Sequence, residues 1–135
     1  MCKLGLNNIL FLDRVSMIEL PELLSAADIS IVAQSSSSAH LSMPSKVINY
    51  LSAGSAILAL TTNTSDLANL VKKNKLGFVC NPKDINQIKE TILFCQNNPS
   101  HIIQMKKNAR DIALRQFSFK VVQQQFTDVF TKYLF

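Results

Sequence analysis

Residues 43–60 read MPSKVINYLSAGSAILAL. Pro44 suits the first turn of a helix, where its missing N–H has no intrahelical partner to lose. Gly54 suits the left-handed residue that ends one. The AILAL that follows is short and wholly apolar, the pattern of a strand buried on both faces. The stretch predicts a helix over residues 44–53 with a strand directly after it. It also poses a chemical question. Lys46 is a lone cation at a helix start, where the helix dipole disfavours positive charge. Either it is a solvated surface residue, or something anionic binds beside it.

The same alternation extends in both directions. NILFL at 8–12 reads as a buried strand, and IELPELLSAA at 18–27 has helical leucine spacing with Pro21 in the first turn. ISIVA at 29–33 is a β-branched run, and the serines at 35–38 are too polar to be buried and form a loop. After AILAL comes TTNTSD, with Thr64, Ser65 or Asp66 able to cap a helix carrying Leu67, Leu70 and Val71. Gly77 precedes FVC, a further strand. Asn81 to Asp84 make a turn that caps a helix with Ile85, Ile88, Ile92, Leu93 and Cys95 on its apolar side. Pro99 and Ser100 open the next, and Val121, Val122, Phe126, Val129, Phe130 and Tyr133 mark a last one. This order predicts an α/β fold: one parallel sheet of about four strands, flanked by helices, over residues 1–135. Such sheets bind ligands outside the carboxyl ends of their strands. The serine loop and the helix start at Lys46 lie at that end, so the expected ligand is anionic.

The bulk composition narrows the function classes. The chain has 135 residues, 47% of them hydrophobic, and a formal charge of +5. No apolar run reaches the length of a membrane span, and the first residues lack the pattern of a secretory leader, so a cytoplasmic protein is expected. Cys2, Cys80 and Cys95 are widely spaced and form no metal or redox pair. They are expected to be buried, reduced thiols. Residues 100–135 hold Lys106, Lys107, Arg110, Arg115, Lys120 and Lys132 against Asp111 and Asp128. That excess is either a solvated helix face or an attraction to the anionic inner face of a membrane. No basic cluster is interleaved with aromatics, so nucleic acid is not an expected partner. GxGxxG, GxxxxGK[ST] and GxSxG are all absent, which speaks against dinucleotide, P-loop and serine-hydrolase chemistry.

NNILFLDRV, ELPELLSAADISIVAQ, MPSKVINYLSAGSAILAL, GFVCNPKD and NARDIALRQFS follow one another in this order. Together they resemble the C-terminal, Rossmann-like, donor-binding domain of retaining glycosyltransferases with two such domains (GT-B). The likeness is to family-4 enzymes (glycosyl transferases group 1) of colanic-acid, capsule and O-antigen synthesis. It implies a nucleotide-diphospho-sugar donor, UDP- or GDP-linked, and a saccharide or lipid-linked acceptor, with no metal and no cofactor. By the same resemblance Arg14 and Val15 would face the nucleobase. Ser42, Ser45 and Lys46 would lie near the diphosphate, and Asn49 near the ribose, where many relatives carry Glu. An Asn amide can both donate and accept there. His40 would lie near the sugar or phosphate, or be an inert loop residue.

The sequence also departs from the family pattern. Many relatives carry two Glu seven residues apart; Leu41 and Asn49 stand there instead. No Asp or Glu occurs between Asp28 and Asp66, so that loop supplies no carboxylate acid or base. Lys46 could instead assist departure of the diphosphate electrostatically, and no catalytic residue is assigned. The resemblance further implies an N-terminal acceptor domain and two central strand–helix units not in this sequence. Residues 100–135 would then pack across to that absent domain or to a partner chain. The alternatives are a non-catalytic nucleotide-binding fragment, one subunit of a split enzyme, or another Rossmann-like protein without a glycosyl role.

Overall fold

A computed structural model of the chain describes residues 6–35 and 43–134. Six helices and three strands are ordered α1 (Leu20–Ala26), β1 (Ile29–Ala33), α2 (Lys46–Ser52), β2 (Ala56–Leu60), α3 (Asp66–Lys73), β3 (Gly77–Cys80), α4 (Ile85–Asn97), α5 (Pro99–Gln116) and α6 (Phe119–Leu134). The strands form one parallel sheet in the order β1-β2-β3, with Ile29 opposite Ala56 and Ile57 opposite Gly77. Every crossover runs through a helix, as parallel neighbours require. The α/β, Rossmann-like expectation holds, with one strand fewer than expected.

The missing strand is the run at 8–12. It is irregular and exposed, with Leu10 81% and Phe11 79% accessible. β-propensity supplies side chains that suit a pleated surface, not the neighbour that a strand must hydrogen-bond to. Among the described residues β1 pairs only with β2, so its outer edge is open and residues 8–12 do not fill it.

Local chemistry sets the element ends where the sequence pointed. Gly54, at φ +71°, closes α2 with a two-bond lock: Ser55 N donates to Tyr50 O and Gly54 N to Leu51 O, both at 3.0 Å. Ser65 caps α3 by accepting from Ala68 N at 3.0 Å, and Asp84 caps α4 by accepting from Gln87 N at 2.9 Å. Gly77 is required by close approach, since a Cβ there would collide with the Ile57 backbone. α2 itself is shorter than expected. Pro44 stays outside it, and Ser45 occupies the cap position without a side-chain cap bond.

The core lies mainly on one face of the sheet. Val32, Ile57 and Ala59 meet Val47 and Leu51 of α2, Leu67 and Val71 of α3, and Ala109 and Ala113 of α5. The opposite face holds a smaller cluster of Ala56, Cys95 and Ile102. Cys80 and Cys95 are both buried free thiols, as expected; Cys2 lies outside the described residues. Of the stripe expected on α6, only Val121 and Val122 are partly covered, and Phe126, Val129, Phe130 and Tyr133 are exposed.

Candidate functional site

The carboxyl ends of the three strands point the same way, and the loops leaving them carry the polar residues. Residues 43–45 lead onto the start of α2. There a cleft of about 440 Å³ is walled by Ile31, Val32 and Ala33 of β1, Pro44, Ser45 and Lys46 of the helix start, and Tyr50 one turn on. Val47 and Leu51 anchor the inner side of α2 in the core with no exposure. Helical periodicity then turns Ser45, Lys46 and Asn49 outward, and all three are exposed. Lys46 Nζ forms no hydrogen bond or ion pair among the described residues. It is also the only Lys, Arg, Asp or Glu between Asp28 and Asp66. Its ammonium therefore faces the cleft uncompensated, where an anionic group would find it.

The predicted residues do not all share one cavity. Ser45 and Lys46 line the cleft. Asn49, one turn further along the helix, lines a different hollow of about 380 Å³ with Met17, Leu20, Pro21 and Leu24 on one side and Ser52, Ala53 and Arg110 on the other. Arg110 Nη1 donates to Ser52 O there, which brings a second cation beside Asn49. That hollow is largely apolar, with an amide and a guanidinium at its rim. Arg14 is exposed and Val15 partly covered in the irregular stretch before α1, and neither lines the cleft or the hollow. Ser42, His40 and the serines at 36–38 lie outside the described residues.

Sequence reasoning missed a third feature at the same end. Gln34 and Ser35 after β1, Thr62 after β2, and Asn81, Pro82 and Lys83 after β3 bound a crevice of about 620 Å³. Thr61 Oγ1 lies 3.3 Å from Gln34 Oε1 and 3.1 Å from Ser65 Oγ, a buried polar set that ties the loop after β1 to the loop after β2. The available signal was that each of these residues directly follows a strand.

Burial pushes the Cys95 thiol up from its ordinary value. At Glu19 the hydroxyl and backbone N–H of Ser16 hold the carboxyl down. Neither lies in the cleft. Among the described residues no group of His, Cys, Asp or Glu could hold a metal ion, and no helix is long and apolar enough to cross a membrane. The described site thus offers binding groups and a cation rather than an acid–base pair.

A search among curated proteins and another among solved structures found no match. A family model does match, over residues 2–112, and its description is glycosyl transferases group 1. The match runs from before the orphan run at 8–12 through β1, the α2 cleft and β3 into α5. With that span, and with the parallel α/β sheet it encodes, the chain belongs to the glycosyl transferases group 1 family.

Proposed function

We propose that this chain is the donor-binding part of a retaining glycosyltransferase, which takes a nucleotide-diphospho-sugar and passes the sugar to a saccharide or lipid-linked acceptor in cell-surface polysaccharide synthesis. Family membership supports the sugar-transfer class. The observation that carries the donor assignment is the unpaired Lys46 ammonium in a cleft at the carboxyl end of β1. In this reading the diphosphate of a UDP- or GDP-sugar lies against Lys46 and Ser45. The nucleoside reaches toward Asn49 and the apolar hollow beside α1, with Arg14 and Val15 near the base and Ser42 near the phosphates. Lys46 then stabilises the negative charge that grows on the leaving diphosphate.

The open edge of β1 and the bare face of α6 support a further part of the proposal: an N-terminal domain or partner chain completes the enzyme. Residues 100–135 would meet it, and the chain alone would transfer no sugar. Their basic excess also suits a position at the anionic inner face of a membrane, which would place the protein in the cytoplasm.

Calorimetric titration with UDP, GDP, uridine and guanosine tests the site. One of the diphosphates should bind, and Lys46→Ala should weaken it about tenfold while leaving its nucleoside unchanged, the loss expected for one charge-assisted contact. Equal losses for both would remove Lys46 from the phosphate. Binding of neither diphosphate would end the donor assignment.

A further inference from the structure

α6 is amphipathic, and its apolar side is bare among the described residues. Phe119 is 84% exposed, Phe126 62%, Phe130 55% and Tyr133 73%, with Val129 exposed beside them. Lys120, Gln124, Asp128 and Thr131 fall on the opposite side of the helix. The apolar positions 119, 122, 126, 129 and 133 alternate steps of three and four. That is the repeat of a narrow seam between two helices, not the broader stripe of a helix lying on a sheet. A hollow of about 300 Å³ opens on the seam between Gln125, Phe126, Val129 and Phe130. The Phe126 and Phe130 rings stack along it, with centroids 6.5 Å apart. Four such residues make the hole that takes one side chain of a facing helix.

Area and charge say what fits there. Covering Phe119, Phe126, Val129, Phe130 and Tyr133 removes on the order of 600 Å² from water, at about 200 Å² for each aromatic side chain. Two copies of the same face bury about 1,200 Å², where stable specific interfaces begin. A helix that lies on an anionic lipid surface is rich in Lys and Arg on its polar side. α6 has Lys120 and Lys132 against Asp128, and its other polar residues are Gln and Thr. Gln123 and Gln125 flank the seam without charge, so two copies meet there without like-charge repulsion.

We propose that α6 pairs with α6 of a second copy of this chain, in antiparallel orientation. The two helix dipoles then oppose each other. Phe126 packs across from Val129 of the second copy, and Tyr133 across from Val122, so large side chains meet small ones. A parallel pair would set Phe126 on Phe126 and Tyr133 on Tyr133. The pairing rests on the reading of residues 100–135 as an interface and names the partner chain that covers α6. It shares no residue with the lining of the Lys46 cleft.

Analytical ultracentrifugation of the whole chain over a wide concentration range tests it. A monomer–dimer equilibrium is expected. Phe126→Asp, at an exposed position, should weaken the dimer at least about tenfold, as loss of a central aromatic anchor does. Val129→Asp gives the same test at the neighbouring seam position, and circular dichroism checks that both variants keep their helices. Lys120→Gln, on the opposite side, should leave the dimer unchanged. Gln125→Glu comes beside Lys132 of the second copy twice by symmetry, and should tighten the dimer about threefold at low salt but not at high salt. No response to Gln125→Glu overturns the antiparallel order. A monomer at every concentration overturns the pairing and leaves an N-terminal domain to cover α6. A dimer that survives both Asp variants forms elsewhere and overturns the seam. A monomer that floats with vesicles of phosphatidylcholine and phosphatidylglycerol, and loses them on Phe126→Asp, gives the face to lipid and overturns the second copy. The donor site is tested apart from all of these by titrating the Phe126→Asp chain with UDP and GDP, since failure there ends the donor reading and leaves the pairing standing.

Discussion

On one face of the sheet, Val32 of β1 is buried in the main core with residues of α2, α3 and α5; on the other, Ile31, its neighbour in sequence, is 54% exposed. The two side chains have nearly the same chemistry. What differs is what covers them. α2, α3 and much of α5 lie on the first face, and their apolar sides close over it. On the second, α4 and the start of α5 reach Ala56, Ile29 and Phe78 but leave the outer half of β1 bare. The bare half adjoins the outer edge of β1, where backbone groups have no strand neighbour among the described residues. Apolar surface and an edge unpaired among the described residues coincide there, the kind of place that the proposed partner domain would cover. The exposed α6 face is a second uncovered place. The contrast teaches that a strand and the helices beside it can form with only one well-covered face.

The sharpest way to break that contrast is to cut away both sides equally. Leu51→Ala, in the covered core with no exposure, should cost about 2–5 kcal/mol in urea unfolding, from lost transfer energy plus the cavity. Ile31→Ala should stay within about 0.5 kcal/mol, as exposed positions do. Comparable losses would mean that something covers Ile31 in solution. Supplying a partner that seats on the β1 edge should raise the cost of Ile31→Ala and leave that of Leu51→Ala unchanged.

A smaller effect distinguishes two helix starts. Ser65 accepts from Ala68 N and lies fully buried beneath α3, whereas Ser45 makes no side-chain cap bond at α2. Ser65→Ala should therefore cost about 1 kcal/mol, and Ser45→Ala close to none. If Ser45→Ala leaves stability alone but weakens diphosphate binding, the hydroxyl is held for a ligand. A stability loss equal to that of Ser65→Ala would make Ser45 an ordinary cap.

What could be read from the sequence divides along the same line. The caps at Ser65 and Asp84, the stop at Gly54 and the strands at ISIVA, AILAL and FVC depend on residues within a few positions of one another, and all were legible. Residues 8–12 look no less like a strand than ISIVA does. Their state depends on a neighbour hydrogen-bonded from elsewhere, and no pattern within the run reveals whether that neighbour is present. The site shows the same limit. Lys46 stood out because it is a lone cation in a long uncharged stretch. That Asn49 faces a separate hollow with Arg110 depends on how α5 packs against α2. The crevice of Gln34, Thr62, Asn81 and Lys83 is assembled from three loops, and only the sheet register places them side by side.

The smallest expected effect concerns the thinner face itself. Cys95, in the last turn of α4, packs with Ala56 and Ile102, and burial raises its thiol above the ordinary value of about 8.5. Once unfolded, the thiol ionises as the pH passes that value, while in the folded chain it still holds its proton. The unfolded state then binds fewer protons, so stability falls as pH rises from about 8.5 toward the raised folded value. Cys95→Ala removes this contribution, so its unfolding midpoint should fall less steeply with alkaline pH than that of the parent. Every other group is common to both chains, so the difference between the two slopes isolates Cys95. If the two slopes coincide, the thiol ionises in place, water reaches it under α4, and the second face is even less closed than the packing around Ala56 and Ile102 indicates. A steeper parent slope would show that α4 seals its part of the face and that the opening is confined to the outer half of β1.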